Sequence, residues 1–311
     1  MGYAPTLFSS APDPDQECSM RPILPPFVIA FLLAGCAPGP QSPVGVERSF
    51  ADFLDCVRAS GVGHVSAHRG GIPENALSGL FRSAGLGAAA AEIDVARTAD
   101  GVLVLLHDRT LDRTTTGTGA IADIPYAALS GIELVDPAGN GTGESVPTLE
   151  EALALAGELR LYLQLDVKGV PLEEVLDVVT AAGARDRVGL ITYTAEDAIA
   201  AHRLAPDVQL SAPDALEAYR AAGVDLTRIS VWLGVGMPDA TRDADLAALG
   251  IETGAGMFPF ERRQIPADYF LATDAGVELL SVDEVDRAIR SLGGARAVQS
   301  SLDFCLGRSG G

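Results

Sequence analysis

The chain has 311 residues, 48% of them hydrophobic and 21% charged, with 34 Gly and 19 Pro. That length allows one large domain or two ordinary ones, and the composition is globular and excludes a disordered, collagen-like or multi-span membrane protein. The 22 Lys and Arg face 42 Asp and Glu, a formal charge of -20, so the surface repels nucleic acid and anionic lipid, and any phosphate must meet a local cation. Lys168 is the only lysine among those basic residues.

Residues 27–35 form an apolar run after Arg21. It is far shorter than the roughly 20 residues of a membrane span and reads as a signal-peptide core. The order Leu33, Ala34, Gly35, Cys36 resembles the lipobox of bacterial lipoproteins, in which the peptide is cut before the cysteine and the cysteine is lipidated. The alternative is a short buried helix or an uncleaved anchor. Residues 1–19 carry nothing typical of a signal, which makes Met20 a candidate start. The expected organisation is a signal peptide over 1–36, a Pro-rich tether over 37–48 and one domain over 49–311. That implies an exported lipoprotein of the bacterial cell envelope, held on a membrane by a lipid anchor only. Beyond Cys36, two cysteines remain in the domain: Cys56 lies in a helix-like stretch from Ser49 to Ala59, and Cys305 lies near the C-terminus. Outside the cytosol they either clasp the chain ends or stay separate buried thiols.

Strand-like runs follow at 63–67, 89–95, 102–107, 160–168, 188–193, 208–211, 228–233, 251–254 and 277–282. Helix-like segments separate most of them, including Thr148 to Ala156, Leu172 to Ala182, Asp239 to Leu249 and Glu284 to Leu292, and this alternation signals a parallel α/β sheet. Between Val95 and Val102 only a short connector with the turn dipeptide Asp100-Gly101 intervenes, too short for a parallel crossover. The run 102–107 is therefore expected to return antiparallel, as a hairpin arm. Eight strands remain, the arithmetic of a TIM (β/α)8 barrel with a hairpin after strand 2 and a short insertion before helix 2. A doubly wound open sheet is the runner-up, but no GxGxxG follows the first strand.

Side chains alternate along a strand, and a barrel keeps its active site at the C-terminal strand ends. In the run 160–168, Leu161, Leu163, Leu165 and Val167 take the outer parity, while Tyr162, Gln164, Asp166 and Lys168 face the axis. In the run 89–95, Glu92 and Asp94 face inward. Glu92, Asp94 and Asp166 thus converge at one mouth, where a divalent cation would relieve their mutual repulsion, and oxygen ligands suit Mg2+ or Ca2+. A solvated acidic rim is the competing reading. His68 and His107 end strands at the same mouth and suit a general acid–base pair, whereas His64 and His202 read as structural. The hairpin register is expected to set His107 beside Asp94. Arg69 and Lys168 supply positive charge for one phosphate.

The segments HRG at 68–70, PEN at 73–75, EIDVARTADG at 92–101, HDRTLDRTT at 107–115, PTLEEAL at 147–153 and DVK at 166–168 resemble the glycerophosphodiester phosphodiesterase family, as does the closing GVELLSVDEVDRAIRSL. The resemblance implies a TIM barrel that hydrolyses small-molecule glycerophosphodiesters to an alcohol and sn-glycerol 3-phosphate with a divalent metal ion. It further implies that His68 and His107 are the acid and base, that Glu92 and Asp94 bind metal, that Arg69 and Lys168 hold phosphate, and that Asn75 supports that loop or the phosphate. Two departures stand out. The family usually has Glu where Asp166 stands, and its late-strand tryptophan is absent from IETGAGMF at 251–258. Trp232, the only tryptophan, lies one strand earlier on the inward parity, either lining the alcohol side of the pocket or packing in the core. Two alternatives to hydrolysis stand: a sphingomyelinase D-like phosphodiesterase that keeps a cyclic phosphate, and a non-catalytic lipoprotein that binds phosphorylated ligands. The sequence leaves the oligomeric state open.

Overall fold

Eight parallel strands close into a barrel in the computed structural model, which describes residues 48–258, 269–293 and 295–306. The signal-like segment, Cys36 and the tether through residue 47 lie outside the described residues. The barrel strands are β1 (His64–Ala67), β2 (Ala90–Arg97), β6 (Tyr162–Val167), β7 (Val188–Ile191), β8 (Gln209–Ala212), β9 (Ile229–Val235), β10 (Glu252–Gly256) and β11 (Leu279–Val282). β1 pairs in parallel with both β11 and β2, which closes the ring. No described helix is long and apolar enough to cross a membrane.

β3 (Leu103–Leu105) runs back along β2, with Val95 opposite Leu105, as the short Asp100-Gly101 connector predicts. Between β3 and the next barrel helix, Leu149–Leu159, the insertion builds a second hairpin from β4 (Glu133–Val135) and β5 (Gly141–Ser145). The sequence reading missed this hairpin because β5, GTGES, is mostly exposed and has no apolar alternation. A small core under the insertion joins Val104, Leu106, Leu111, Ile121, Leu129, Leu134 and Val146. The PTLEEAL segment starts its helix with a capping box: the Thr148 side chain accepts the Glu151 N–H, and the Glu151 side chain accepts the Thr148 N–H.

Parity decides what lies inside the ring. Leu161, Leu163, Leu165, Ile93 and Val95 pack outward in the main apolar layer beneath the helices. Tyr162 points into the bottom of the barrel, stacked on Phe50 with centroids 4.7 Å apart and tilted against Phe53 at 4.8 Å. Phe50 and Phe53 belong to helix Phe50–Ser60, which with Leu302, Cys305 and Leu306 of the C-terminal segment forms an apolar plug under the strands. Cys56 and Cys305 are bonded across a sequence separation of 249 residues, so the clasp reading of these two cysteines holds.

This clasp restricts the unfolded chain over most of the domain's length. Cys56→Ser is expected to lower stability by about 2–5 kcal/mol. Denaturant unfolding of wild type and variant, each with and without reductant, reads this out. An oxidised wild type no more stable than the variant contradicts the role given to the bond.

Candidate active site

The mouth is built on the neighbouring strands β1, β2 and β6. β2 and β6 pair so that Glu92 lies opposite Gln164 and Asp94 opposite Asp166, which stacks the polar inward positions in layers. One layer lower, Ser66 Oγ donates to Gln164 Oε1 at 2.8 Å. Suitable ligand oxygens of Glu92, Asp94 and Asp166 all lie within 4.8 Å of one another, and all three residues are buried.

Three positive or polar groups answer this negative charge. Lys168 Nζ lies 2.9 Å from Asp94 Oδ1 and 2.8 Å from Asp166 Oδ2. Partial burial works against its charge, but its bonds to Asp166 and Asp94 prevail and raise its pKa above the ordinary lysine value. Asn75 Nδ2 donates to Asp94 Oδ2 at 2.8 Å, while the Asp94 N–H donates to Asn75 Oδ1 at 3.0 Å. Asn75 has φ 54°, a left-handed conformation that asparagine tolerates better than most residues. Its part here is to hold Asp94. The Arg69 N–H donates to Glu92 Oε2 at 2.7 Å. Burial first, and then repulsion from Asp94, still pushes the Glu92 carboxyl up to about 8. Asp166 Oδ1 is buried and has no hydrogen-bond partner among the described residues. A hard divalent cation fits this set: three oxygen donors, one of them an orphaned buried atom, and excess negative charge.

Each histidine is held by its own carboxylate. His68 follows β1 in a short turn. Its Nδ1 lies 2.7 Å from Asp283 Oδ1, just past β11, and its Nε2 lies 4.0 Å from Glu92 Oε2. Its ring stacks on Phe258 at 4.2 Å. His107 Nδ1 lies 2.7 Å from Asp108 Oδ1. A carboxylate at Nδ1 fixes the proton there and leaves Nε2 as the working nitrogen. The strand register sets Leu106 rather than His107 opposite Asp94, since the Leu106 N–H donates to the Asp94 carbonyl at 3.1 Å.

Arg69, Glu74, Arg113 and Asp108 link the two histidine loops. Arg113 forks onto Glu74 at 2.7 and 2.8 Å and reaches Asp108 at 2.6 Å, while Arg69 Nη1 lies 3.1 Å from Glu74 Oε1. Arg113 first, with His107 adding to it, holds Asp108 well below the usual carboxylate range. Arg69 thus spends one nitrogen on Glu74, yet its Nε is buried with no partner among the described residues. Asp108, Asp283, Glu74, Arg113, Phe258 and Tyr193 escaped the sequence reading. The available signals were the charged spacing within HDRTLDR and an acid placed directly after the last strand.

Two cavities meet at His68. One, of about 650 Å³, is lined by His107, Arg69, Glu74, Arg113 and the β4–β5 turn at Asp136 and Gly139. The other, of about 480 Å³, is lined by Glu92, Asp166, Tyr193, Trp232 and Phe258. Trp232 therefore lines a cavity, and β10 makes room for its indole. A Cβ on Gly256 would sit 3.1 Å from the Trp232 ring and 2.7 Å from Phe258.

The fold and site define a (β/α)8 barrel with an acidic cradle and two carboxylate-held histidines at its C-terminal mouth. Residues 67–217 match the model of the Glycerophosphoryl diester phosphodiesterase family. It is 43% identical over 112 residues to Glycerophosphodiester phosphodiesterase 1 of Bos taurus, a stretch covering 33% of this chain and 33% of that protein. It is 30% identical over 156 residues to a glycerophosphodiester phosphodiesterase of Caldanaerobacter subterraneus subsp. tengcongensis, covering 47% of this chain and 64% of the relative. The matches thus span about a third of the mammalian relative's length and under two thirds of the bacterial one's. A crystal structure of a glycerophosphoryl diester phosphodiesterase from Parabacteroides distasonis superposes with a TM-score of 0.72 at 27% identity, covering 80% of this chain and 94% of that one.

Glu92 generates a pH prediction for the protein stripped of divalent ions. A carboxyl whose folded pKa is raised stabilises the fold while protonated, and that contribution disappears as pH rises through its folded value, here about 8. Wild type should therefore lose stability relative to Glu92→Gln between the ordinary glutamate value of 4.5 and about 8, by at most about 1.4 kcal/mol per pH unit for one proton, and change little above that. Parallel curves of melting temperature against pH, in chelator, contradict this.

Proposed function

We propose that the chain is a phosphodiesterase that hydrolyses glycerophosphodiesters to an alcohol and sn-glycerol 3-phosphate, with His68 and His107 as its acid–base pair. The observation that carries this reading is that both histidines, each with its own carboxylate at Nδ1, line one cavity beside the acidic cradle. Paired imidazoles with free Nε2 atoms suit a step in which one takes the proton of the attacking oxygen and the other protonates the leaving alkoxide. The family match and the names of the bovine and bacterial relatives support the same substrate class.

Glu92, Asp94 and Asp166 would hold the divalent ion, Mg2+ or Ca2+, which when bound supplies Lewis-acid stabilisation of charge on the phosphoryl oxygens. Arg69 brings the unpartnered Nε to that charge, and Lys168 brings an ammonium already poised between Asp94 and Asp166. Asp283 and Asp108 orient the rings and stabilise each imidazolium as it forms. Trp232 and Phe258 offer an apolar wall to one arm of the diester.

The expected activity is release of glycerol 3-phosphate from compounds such as glycerophosphocholine in Mg2+ or Ca2+, and its loss in chelator. His68→Ala and His107→Ala should each slow turnover by about a hundred- to ten-thousand-fold. A coupled assay for glycerol 3-phosphate on a panel of diesters checks this. No product from any diester, neither glycerol 3-phosphate nor a cyclic phosphate, would leave the non-catalytic phosphate-binding lipoprotein as the better account.

We further propose export and lipid attachment at Cys36, in a bacterial envelope. The Leu-Ala-Gly-Cys order supports it, and so does a disulfide of the kind that persists outside the cytosol. Mass spectrometry of the mature N-terminus should find acylated Cys36, whereas an unmodified peptide running through Gly35 and Cys36 refutes it.

A further inference from the structure

Tyr193 lies two residues past β7 and belongs to none of the motifs above. Its hydroxyl donates to Asp166 Oδ2 at 2.7 Å, and the same oxygen lies 2.8 Å from Lys168 Nζ. Asp166 Oδ1 is buried and has no hydrogen-bond partner among the described residues. The two oxygens of one carboxylate therefore do different work. Oδ2 is engaged by two donors, and Oδ1 is left open within the cradle formed with Glu92 and Asp94.

We propose that Tyr193 is a positioning residue that makes Asp166 a single-oxygen ligand, through Oδ1, for the divalent ion of the cradle. The inference rests on the metal-site reading given above. Rotation of an aspartate about its last torsion is broad and roughly two-fold, so a short carboxylate on a strand has no intrinsic reason to present one oxygen rather than both. With the Tyr193 hydroxyl and the Lys168 ammonium on Oδ2, turning the carboxylate breaks two hydrogen bonds to a charged group. The hydroxyl, 2.7 Å from Oδ2, also stands in the way of a carboxylate carried one methylene further out, as on the Glu implied by the resemblance. Tyr193 as a residue is 64% exposed, so the core depends little on it, and the hydroxyl is the part with work to do. The preference that follows is for the smaller ion. Two-oxygen chelation is a mode suited to Ca2+ with its variable coordination, whereas Mg2+ takes near-octahedral single contacts.

Calorimetric titration with Mg2+ and with Ca2+ tests this on the wild type, Tyr193→Phe, Asp166→Glu and the double variant, with melting temperatures of the ion-free proteins alongside. Tyr193→Phe should weaken Mg2+ binding by about ten- to a hundredfold, as loss of an outer hydrogen-bond partner of a ligand does. It should weaken Ca2+ binding less, so the preference between the ions shifts. Asp166→Glu alone should weaken Mg2+ binding, because its added methylene drives the carboxylate into the hydroxyl. Adding Tyr193→Phe to Asp166→Glu should restore it. A packing role would lower the melting temperature without shifting ion preference and without rescue. Unchanged Mg2+ affinity in Tyr193→Phe, equal weakening of both ions, or a double variant no better than Asp166→Glu each overturns the proposal. If the wild type binds neither ion, the metal reading falls with it. If the wild type binds and Tyr193→Phe behaves like it, this inference alone falls.

Discussion

Three carboxylates and one ammonium, brought within a few ångströms inside a barrel mouth, are the constraint around which the rest of the structure is arranged. Asp94 and Asp166 face each other across a regular parallel pair, with Lys168 Nζ between their oxygens and Glu92 one layer below. Burying such charge costs several kcal/mol per uncompensated ion, and one lysine cannot compensate three acids. The surrounding architecture therefore has to hold the strands in register against repulsion. The outer leucine and valine layer packs around the ring beneath the helices, while the aromatic plug of Phe50, Phe53 and Tyr162 and the Cys56–Cys305 bond lie under the strands.

The same constraint explains the loops. Asn75 and the Arg69 N–H satisfy carboxylate oxygens from the β1 loop, so the residues that carry His68 are also those that steady the acidic cradle. Glu74 and Arg113 then tie that loop to the one carrying His107. The insertion after β3 closes the larger cavity with Asp136 and Gly139 of its second hairpin. Three separate segments thus fix the spacing of two imidazoles.

Strand parity made much of this legible in the sequence. The inward sets Glu92, Asp94 and Asp166 follow from period-2 alternation, and the antiparallel β3 follows from a connector too short to cross over. Trp232 lines a cavity because its parity is inward. What stayed hidden depends on loop backbone, where no periodicity sets side-chain direction. Asp283 and Tyr193 sit one or two residues past a strand end and meet partners from distant segments, while Asp108 sits in a turn beside its own partner His107. The offset of His107 from Asp94 has a similar cause, because a hairpin register depends on its turn and moves by whole residues. Arg69 and Lys168 were legible as cations, but not their present partners Glu74, Asp94 and Asp166.

The central claim is that the acidic cradle is built for a divalent ion. Crystals grown with Mn2+, whose anomalous scattering marks its position, test it most directly. The account predicts one strong peak within about 2.0–2.6 Å of Asp166 Oδ1 and of oxygens from Glu92 and Asp94, the distance range of hard cations on carboxylates. A cradle with no peak at saturating Mn2+, and Lys168 Nζ still bridging Asp94 and Asp166, would contradict it.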